Sequence, residues 1–389
     1  MRILALKPEG YVIPFIHTSM IKAFRSLGHE VLDFSYPRDK TAVDAIRSTA
    51  STKPASVFSL DLPLDPNLRN ILKEIQKSIE IPWIIWFVDD PEGYGFPNGL
   101  DPAWTIVFCW DMEITRHISA EGVWKGIQPI HLPLASDPEL FYPQEKFSPL
   151  LFPGGVFVGS TAHSNPIFDE AVVNSSDFEE NVSALWNVWK ADLGQVPQEF
   201  VWGFLEAKTG IGLGNLQKDP LACLWAHSTL YALGRKKREE IVSRVIGEGG
   251  GVFGSREWEP IMGKYYRGEV TYGEGLRKIY QTSSFVLETR QAQSRTGITQ
   301  RTFDAGACGI PVLAEHSPEL DECFNLREEI FSFRTLDEAL ERKKDILSGQ
   351  ESTLRAVRAR DRVLARHTYR HRAARILEAL QRFFAVSRA

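Results

Sequence analysis

Short apolar runs alternate with helical patterns along most of the chain, and this alternation limits the fold more than any other feature. The run Arg2 to Lys7 is followed by a helical pattern from Phe15 to Leu27 and by a second apolar run from His29 to Phe34. A strand, a helix and a strand in this order form a βαβ unit. The run from Pro82 to Val88 is apolar throughout, which is typical of a strand covered on both faces of a parallel sheet. The alternation therefore predicts an α/β protein.

One long stretch breaks the alternation and divides the chain. Residues from about 167 to 247 carry helical patterns without strands and predict a helical insert. The run 138–155 is rich in proline and polar residues, as in a linker. We therefore predict an N-terminal Rossmann-like domain at 1–145, a second Rossmann-like domain with the insert at 146–370, and a C-terminal helix at 371–389 that packs back on the first domain.

The composition excludes several classes of protein. The chain has 389 residues, a formal net charge of -5 and a charged fraction of 24%, which argues against a surface that coats nucleic acid. The apolar runs are too short for a membrane span, and the sequence enters a strand pattern without a signal peptide. Four scattered cysteines indicate a reducing compartment. We expect a soluble, cytoplasmic protein of two domains.

Residues that follow strands are the candidates for a binding site, because ligands of open parallel sheets bind beyond the carboxyl ends of the strands. The segment after the strand predicted at Phe285 to Glu288 contains Arg290, Arg295 and Arg301. It has no acidic residue from Arg290 to Phe303. Such a local excess of positive charge favours an anionic ligand.

Thr296 and Gly297 stand where the next helix is predicted to begin. The unpaired N–H groups and partial positive charge of a helix start bind phosphate, and a glycine lets a diphosphate approach the backbone. Asp304 would lie about two turns into that helix, about 10 Å away, which suits a carboxylate that binds ribose hydroxyls. The alternative is that Thr296 only caps the helix and that Asp304 faces solvent.

Two adjacent carboxylates, Asp89 and Asp90, follow the strand that is predicted to end at Val88. Their mutual repulsion can raise the pKa of one of them into the range of a general base. In the alternative interpretation, Asp89 caps a backbone N–H group and Asp90 starts a turn before Pro91.

Several short motifs occur in an order that resembles one group of enzymes. They are Trp86-Phe87-Val88-Asp89-Asp90-Pro91, His131-Leu132-Pro133-Leu134-Ala135, Phe157-Val158-Gly159-Ser160, Tyr272-x-Glu274, Arg301-x-Phe303-Asp304-Ala305-x-Ala307-Cys308-Gly309-Ile310-Pro311-Val312-Leu313, Pro318-Glu319-Leu320 and His367-Thr368-Tyr369-x-x-Arg372. In this order they resemble the glycosyltransferases of the GT-B fold, and most closely the CgeB-like (spore maturation protein-like) group.

The resemblance implies two facing Rossmann-like domains and a hexosyltransferase-like activity. A sugar would move from a nucleotide-diphosphate donor, with UDP the favoured nucleotide, to an acceptor whose class stays open among protein, glycan and small molecule. We expect no metal and no other cofactor, because such enzymes offset the charge of the leaving group with arginines and helix dipoles.

The resemblance also implies roles for individual residues. Asp304 matches the acid that holds the nucleotide ribose, and Asp89, Asp90 and His17 are candidates for the group that deprotonates the acceptor. For His17 the alternative is a capping or packed residue. The expected donor-binding residues are Gly159, Ser160, Arg256, Trp258, Glu288, Arg290, Arg295, Thr296, Gly297, Ile298 and Arg301.

Two of these assignments have open alternatives. Glu288 could bind donor hydroxyls or form an ion pair with Arg290. Many retaining relatives carry an acid at the position of Thr296, so the resemblance supports nucleotide binding better than any one stereochemical outcome.

Two other functions stay open: a nucleotide-sugar epimerase of the same fold, and a non-catalytic module that binds a nucleotide sugar or a partner.

Overall fold

A computed structural model describes residues 1–35, 44–46, 48–49, 56–62, 66–79, 81–91, 100–121, 124, 126–144, 149–161, 177–291 and 293–386. The chain divides into two compact units. Unit 1 comprises Met1–Asp137 and Leu364–Ala389, and unit 2 comprises Pro138–Val363. The sequence predicts the corresponding domain boundaries after residue 145 and after residue 370.

Unit 1 is built on a six-stranded parallel sheet with the strand order β2-β1-β3-β4-β5-β6. Its strands are Arg2–Lys7 (β1), Glu30–Ser35 (β2), Ser56–Leu60 (β3), Trp83–Phe87 (β4), Thr105–Cys109 (β5) and Ile130–His131 (β6). Its helices are Ile13–Ser26 (α1), Pro66–Ile79 (α2), Met112–Glu121 (α3) and, near the end of the chain, Tyr369–Val386 (α14), with a 3-10 turn at Pro102–Trp104.

Strands β3, β4 and β5 are buried at every residue, because helices cover both faces of the sheet. On one face, Trp83 and Phe87 belong to a hydrophobic core that includes Ile114 of α3. On the other face, Trp86 meets Tyr369 of α14 with their ring centroids 6.4 Å apart. The all-apolar run that predicts β4 therefore provides side chains that pack on both faces of the sheet.

Helix α14 packs against α1 and is tied to the end of the sheet by one arginine. Arg372 donates hydrogen bonds to the carbonyl oxygens of Pro133, at 2.6 Å, and of Leu134, at 2.7 Å. These carbonyls follow β6, so the motif around His131 and the motif that ends at Arg372 meet in unit 1 and fasten its last helix.

Unit 2 contains a five-stranded parallel sheet with the strand order β11-β10-β9-β7-β8. Its strands are Val156–Val158 (β7), Gly251–Phe253 (β8), Val286–Glu288 (β9), Val312–Glu315 (β10) and Phe331–Phe333 (β11). Its helices are Phe178–Trp189 (α4), Pro197–Thr209 (α5), Leu213–Leu216 (α6), Pro220–Val245 (α7), Glu259–Met262 (α8), Glu274–Gln281 (α9), Gln300–Ala307 (α10), Pro318–Cys323 (α11), Leu336–Ser348 (α12) and Gln350–Arg366 (α13), with 3-10 turns at Arg256–Trp258 and Gly263–Tyr265.

The predicted helical insert corresponds to α4 through α7, while its first residues, 167–176, lie outside the described residues. Helix α4 packs on α7, where Trp186 donates from Nε1 to the Glu240 carboxylate at 2.7 Å. The tryptophans Trp186 and Trp189 are buried in the same core as β7 and β10. The insert is therefore one body with the sheet of unit 2.

The helix expected to begin at Thr296–Gly297 begins at Gln300, so this expectation is wrong. Strand β11 has no counterpart among the elements predicted from the sequence. In a helix that began earlier, the carbonyl groups of Arg295 and Gly297 would accept hydrogen bonds from backbone N–H groups. Here they accept from side chains instead: Ser294 Oγ donates to Gly297 O at 2.6 Å, and Arg290 donates to Arg295 O at 2.6 Å. The preceding segment is therefore a loop, and Asp304 lies little more than one turn into α10.

None of the helices in the described part of the chain combines the length and the apolar character that crossing a bilayer requires.

Candidate functional site

Six charged side chains gather near the carboxyl ends of the strands of unit 2. They come from α7, from α10 and from the ends of β9 and β10, and they are Lys237, Arg238, Glu288, Arg290, Arg301 and Glu315. We call them the buried charge cluster, since none of the six is more than 12% exposed. Four of them are cations and two are carboxylates, so positive charge predominates.

Glu315, at the end of β10, is the centre of one half of the cluster. Lys237 Nζ lies 2.9 Å from its carboxylate, Arg290 Nε lies 3.1 Å from Oε1, and the Arg290 backbone N–H donates to Oε2 at 3.1 Å. Burial would raise the pKa of Glu315, but Lys237 and Arg290 outweigh it and hold the pKa below its usual value. Burial lowers the pKa of Lys237 to about 8, against the opposing effect of Glu315.

Glu288, at the end of β9, pairs with Arg301 and not with Arg290 as one expectation had it. Arg301 donates from Nε at 3.0 Å and from a terminal nitrogen at 3.1 Å, so the pair is bidentate. Burial alone would lower the pKa of Arg301, but the Glu288 carboxylate outweighs it and raises the pKa. Both carboxylate oxygens of Glu288 therefore accept hydrogen bonds from Arg301 in the described structure.

Arg238 differs from the other cations of the cluster. Its guanidinium donates to two backbone carbonyls, Ser160 O at 2.9 Å and Thr289 O at 3.1 Å, and no carboxylate of the described residues forms a salt bridge with it. Its Nε has no hydrogen-bond partner among the described atoms. Burial, reinforced by Arg301, lowers its pKa to about 10. Arg238 is thus a buried cation that spans the ends of β7 and β9 and forms no salt bridge with a described carboxylate, although Glu288 and Glu315 act on it from farther away.

Asp304 is fully buried in α10 and accepts a hydrogen bond from the Tyr272 hydroxyl at 2.7 Å. The alternative in which Asp304 faces solvent is therefore wrong. The Tyr272 ring packs against Phe141 with centroids 5.3 Å apart, which encloses the carboxylate. The ribose-binding role of Asp304 stays a prediction, and it requires Tyr272 to share this carboxylate with the ligand.

The loops after β7 and β8 approach each other closely. Gly254 has a φ of +134°, and a Cβ atom there would lie 2.1 Å from Gly159 O, so this position requires glycine. Trp258 is fully buried and donates from Nε1 to Gly159 O at 2.8 Å, whereas Arg256 is exposed. Trp258 therefore supports the Gly159–Ser160 loop from within the core.

The loop before α10 is less accessible than the sequence suggested. Thr296, Gly297 and Ile298 are buried, while Arg295 is half-buried. The structure thus brings the cations of the cluster together with Gly159, Ser160 and Glu288, but it does not place Thr296 or Gly297 at a helix N-terminus. The donor-binding roles of these residues stay predictions.

In unit 1, Asp89 and Asp90 lie just past β4, and both are half-buried. Asp89 accepts the backbone N–H of Asp90 at 2.9 Å, as in the capping alternative. Beside them lies Asp61, which follows β3 and is 3% exposed. Its Oδ1 accepts the backbone N–H groups of Val88, at 2.8 Å, and of Asp89, at 3.3 Å.

His17 is fully buried in α1, where its Nε2 lies 2.8 Å from Asp33 Oδ1. Burial lowers the pKa of His17, although the Asp33 carboxylate opposes this effect. A base that deprotonates an acceptor must contact the acceptor. The buried position of His17 matches the alternative in which it is a packed residue. Its catalytic role stays a prediction.

Sequence reasoning did not select Lys237, Arg238 or Asp61. The signal for the first two was the basic run Arg235–Arg238, whose last two residues turn inward. The signal for Asp61 was its place directly after a predicted strand. Among the described residues, no group of His, Cys, Asp and Glu side chains could hold a metal ion.

A family model described as glycosyl transferase-like matches residues 228–378 of the chain. This segment contains all six members of the buried charge cluster. A direct comparison with curated protein sequences gives no match.

Solved structures resemble the chain over nearly its whole length. The sucrose-phosphate synthase of Thermosynechococcus elongatus is 12% identical with a TM-score of 0.53, and the match covers 99% of each chain. HepE of Anabaena, in complex with UDP-glucose, is 13% identical with a TM-score of 0.54, covering 98% of this chain and 99% of that one. An α-glucosyltransferase in complex with UDP and a 13-mer DNA is 12% identical with a TM-score of 0.54, covering 98% and 99%.

At these identities the likeness shows a shared fold. Two α/β units with parallel sheets, matched over the full chain to GT-B structures, confirm the predicted GT-B fold class.

Proposed function

We propose that the protein is a metal-independent glycosyltransferase that moves a sugar from a nucleotide-diphosphate donor to an acceptor. The observation that carries the proposal is Arg238, a buried cation without a carboxylate partner among the described residues, at the carboxyl ends of β7 and β9. Burial of a cation that no carboxylate contacts is unfavourable, so a structure that keeps one is suited to a ligand of opposite charge. The diphosphate of a nucleotide sugar is such a ligand.

The comparisons support this choice of ligand. The glycosyl transferase-like match contains the cluster, and two of the similar structures hold UDP-glucose or UDP. We therefore propose a UDP-sugar as the donor. We further propose that the chain is a member of the CgeB-like group and a cytoplasmic enzyme, on the motifs quoted above.

In the proposed reaction the cluster stabilises the leaving group. The bond between the sugar C1 and the diphosphate oxygen breaks, its electron pair leaves on UDP, and the acceptor oxygen forms the new bond to C1. Arg238 and the half-buried Arg295 would bind the diphosphate as its negative charge grows. Asp304 would bind the ribose, and Gly159 and Ser160 would border the phosphates.

The acceptor is proposed to bind at the carboxyl edge of the sheet in unit 1. There Asp89 or Asp90 would take the proton that the acceptor hydroxyl loses, which completes the balance of the reaction. The half-buried position of both carboxylates leaves part of each side chain accessible to an acceptor.

The experiment is mass spectrometry of products from a panel of UDP-, GDP- and TDP-sugars, each with and without a panel of acceptors. We expect UDP release and a product heavier than one acceptor by one sugar residue. The Asp89→Asn, Asp90→Asn double variant should bind UDP with unchanged affinity and form at least about tenfold less product, because general-base catalysis contributes factors of this size or more.

Other outcomes would contradict the proposal. Isomerised donor in the absence of acceptor would identify an epimerase. Tight UDP binding without any product from the whole panel would identify a non-catalytic nucleotide-sugar module.

A further inference from the structure

The helical insert of unit 2 has an open groove between α4 and α5. The groove has a volume of about 360 Å³, which lies within the range of small-molecule sites. Its lining is apolar: Phe200 and Phe204 stand one helical turn apart on α5, and Val188 of α4 is 60% exposed. Trp225 of α7 lies parallel to Phe204 with ring centroids 6.1 Å apart, so this wall of the groove is supported from behind.

Gly203 also lines the groove, although neither conformation nor packing requires a glycine there. Its backbone is helical, and a Cβ atom on it would have no atom within 4 Å outside its own helix backbone and chain neighbours. By contrast, a Cβ atom on Gly306 of α10 would lie 3.1 Å from Val363 Cγ2. Glycine within a helix makes folding about fivefold less favourable than alanine does. The missing side chain of Gly203 keeps the groove open, which indicates a site for a ligand.

The charge at the groove is negative. Among the described residues that line it, only Glu199 is charged, and its exposed carboxylate forms no hydrogen bond or ion pair with the described residues. Glu206 of the same helix differs, because its carboxylate accepts the backbone N–H of Leu213 at 3.0 Å. A free carboxylate next to aromatic rings attracts a cation, and the faces of the rings attract it as well.

We propose that the groove binds a small organic cation of the arylalkylamine class, in which a short alkyl chain joins an aromatic ring to an ammonium group. The ring packs over Gly203 against Phe200 and Phe204, and the ammonium group pairs with Glu199, one helical turn from Gly203. This inference does not depend on the proposed function, because α4 and α5 contribute no residue to the buried charge cluster or to the predicted donor-binding residues.

The test is a titration of the full chain, labelled with ¹⁵N-glycine, by nuclear magnetic resonance. The ligands are tryptamine, indole and indole acetate, which share a ring and carry a positive charge, no charge and a negative charge. The Gly203 resonance is identified by its absence from the spectrum of Gly203→Leu. It should shift on addition of tryptamine, which should bind about threefold to tenfold more tightly than indole, and indole acetate should bind most weakly.

A change of shape at Gly203 separates binding from folding. Gly203→Leu should bind tryptamine at least about tenfold more weakly, because the leucine side chain occupies the groove. The same variant should unfold at a higher temperature than the wild type, since leucine favours a helix more than glycine does. The matched control is Gly214→Leu in α6, where a Cβ atom would also have no atom within 4 Å, and it should retain the wild-type affinity.

A change of charge at Glu199 tests the class of ligand. Glu199→Gln should bind tryptamine and indole with affinities within about twofold of each other, because the ammonium group loses its partner. Glu206→Gln, on the same helix but outside the groove, should keep the preference for tryptamine.

Four results would overturn the proposal. The Gly203 resonance would not respond to tryptamine at millimolar concentration, or the three ligands would bind the wild type equally well. Gly203→Leu would retain the wild-type affinity for tryptamine, which would place the ligand elsewhere. Finally, the wild type would self-associate and Gly203→Leu would not, which would assign the groove to a second copy of the chain.

Discussion

Replacing Arg238 with methionine should weaken UDP binding by about 100-fold and change the stability of unit 2 much less. Burial lowers the pKa of Arg238 to about 10, so removal of the charge favours the folded protein. Removal of the guanidinium also leaves the carbonyl oxygens of Ser160 and Thr289 without these donors, which costs about 1–3 kcal/mol and offsets the gain. Thermal unfolding with and without UDP measures both quantities.

The matched control for Arg238 lies on the same helix. Arg235 is 60% exposed and pairs with Glu239 at 2.7 Å, four residues further along α7. Arg235→Met should leave both the melting temperature and its rise on addition of UDP nearly unchanged, because exposed ion pairs contribute little. If Arg238→Met destabilised the protein and bound UDP as well as the wild type, Arg238 would be a structural residue and the proposed donor site would be wrong.

Replacing Glu315 with glutamine should destabilise unit 2 by about 3–5 kcal/mol. The carboxylate lies between Lys237 and Arg290, and its loss leaves two buried cations that face each other. Glutamine keeps the shape of the side chain, so the expected loss reports charge and not packing. Hydrogen exchange in peptides that contain β9 and β10 measures the local opening free energy, which is needed because a protein of two units need not unfold in one step.

Two further variants identify the cause of this loss. Lys237→Met in the Glu315→Gln background removes one of the unpaired cations and should restore part of the lost stability. Glu322→Gln, at an exposed position of α11, should change the opening free energy by less than about 0.5 kcal/mol. If Glu315→Gln were as stable as the wild type, Lys237 and Arg290 would have other partners in the variant. The role of Glu315 as the stabilising centre of this half of the cluster would then be wrong.

The fold could be predicted from the sequence because its strands are short, buried and parallel. Runs such as Pro82 to Val88 are apolar throughout, and the helical pattern after each strand gives the connection to the next one. Strand β11 could not be predicted because Ser332 interrupts its apolar residues, whereas the equally short β7 is apolar throughout. The start of α10 was misplaced because hydrogen bonds made by Ser294 and Arg290 decide it, and Arg290 depends on distant contacts.

The site could be predicted only as a sheet edge with an excess of positive charge. Arg290 and Arg301 were located correctly after β9, but the sequence does not reveal which carboxylate each of them meets. The pairing of Arg301 with Glu288, thirteen residues away in the chain, depends on the packing of α10 beside β9. Arg238 was missed because it lies within a helix, where a basic run usually faces solvent, and only burial distinguishes it from Arg235.

Calorimetric titration of the wild-type protein with uridine, UMP and UDP shows whether unit 2 binds the diphosphate of a nucleotide. If buried cations recognise phosphate, affinity should increase with each phosphate group, and UDP should bind at least about 100-fold more tightly than uridine. Equal affinities for the three ligands, or no binding of UDP, would show that unit 2 does not recognise the diphosphate of a nucleotide.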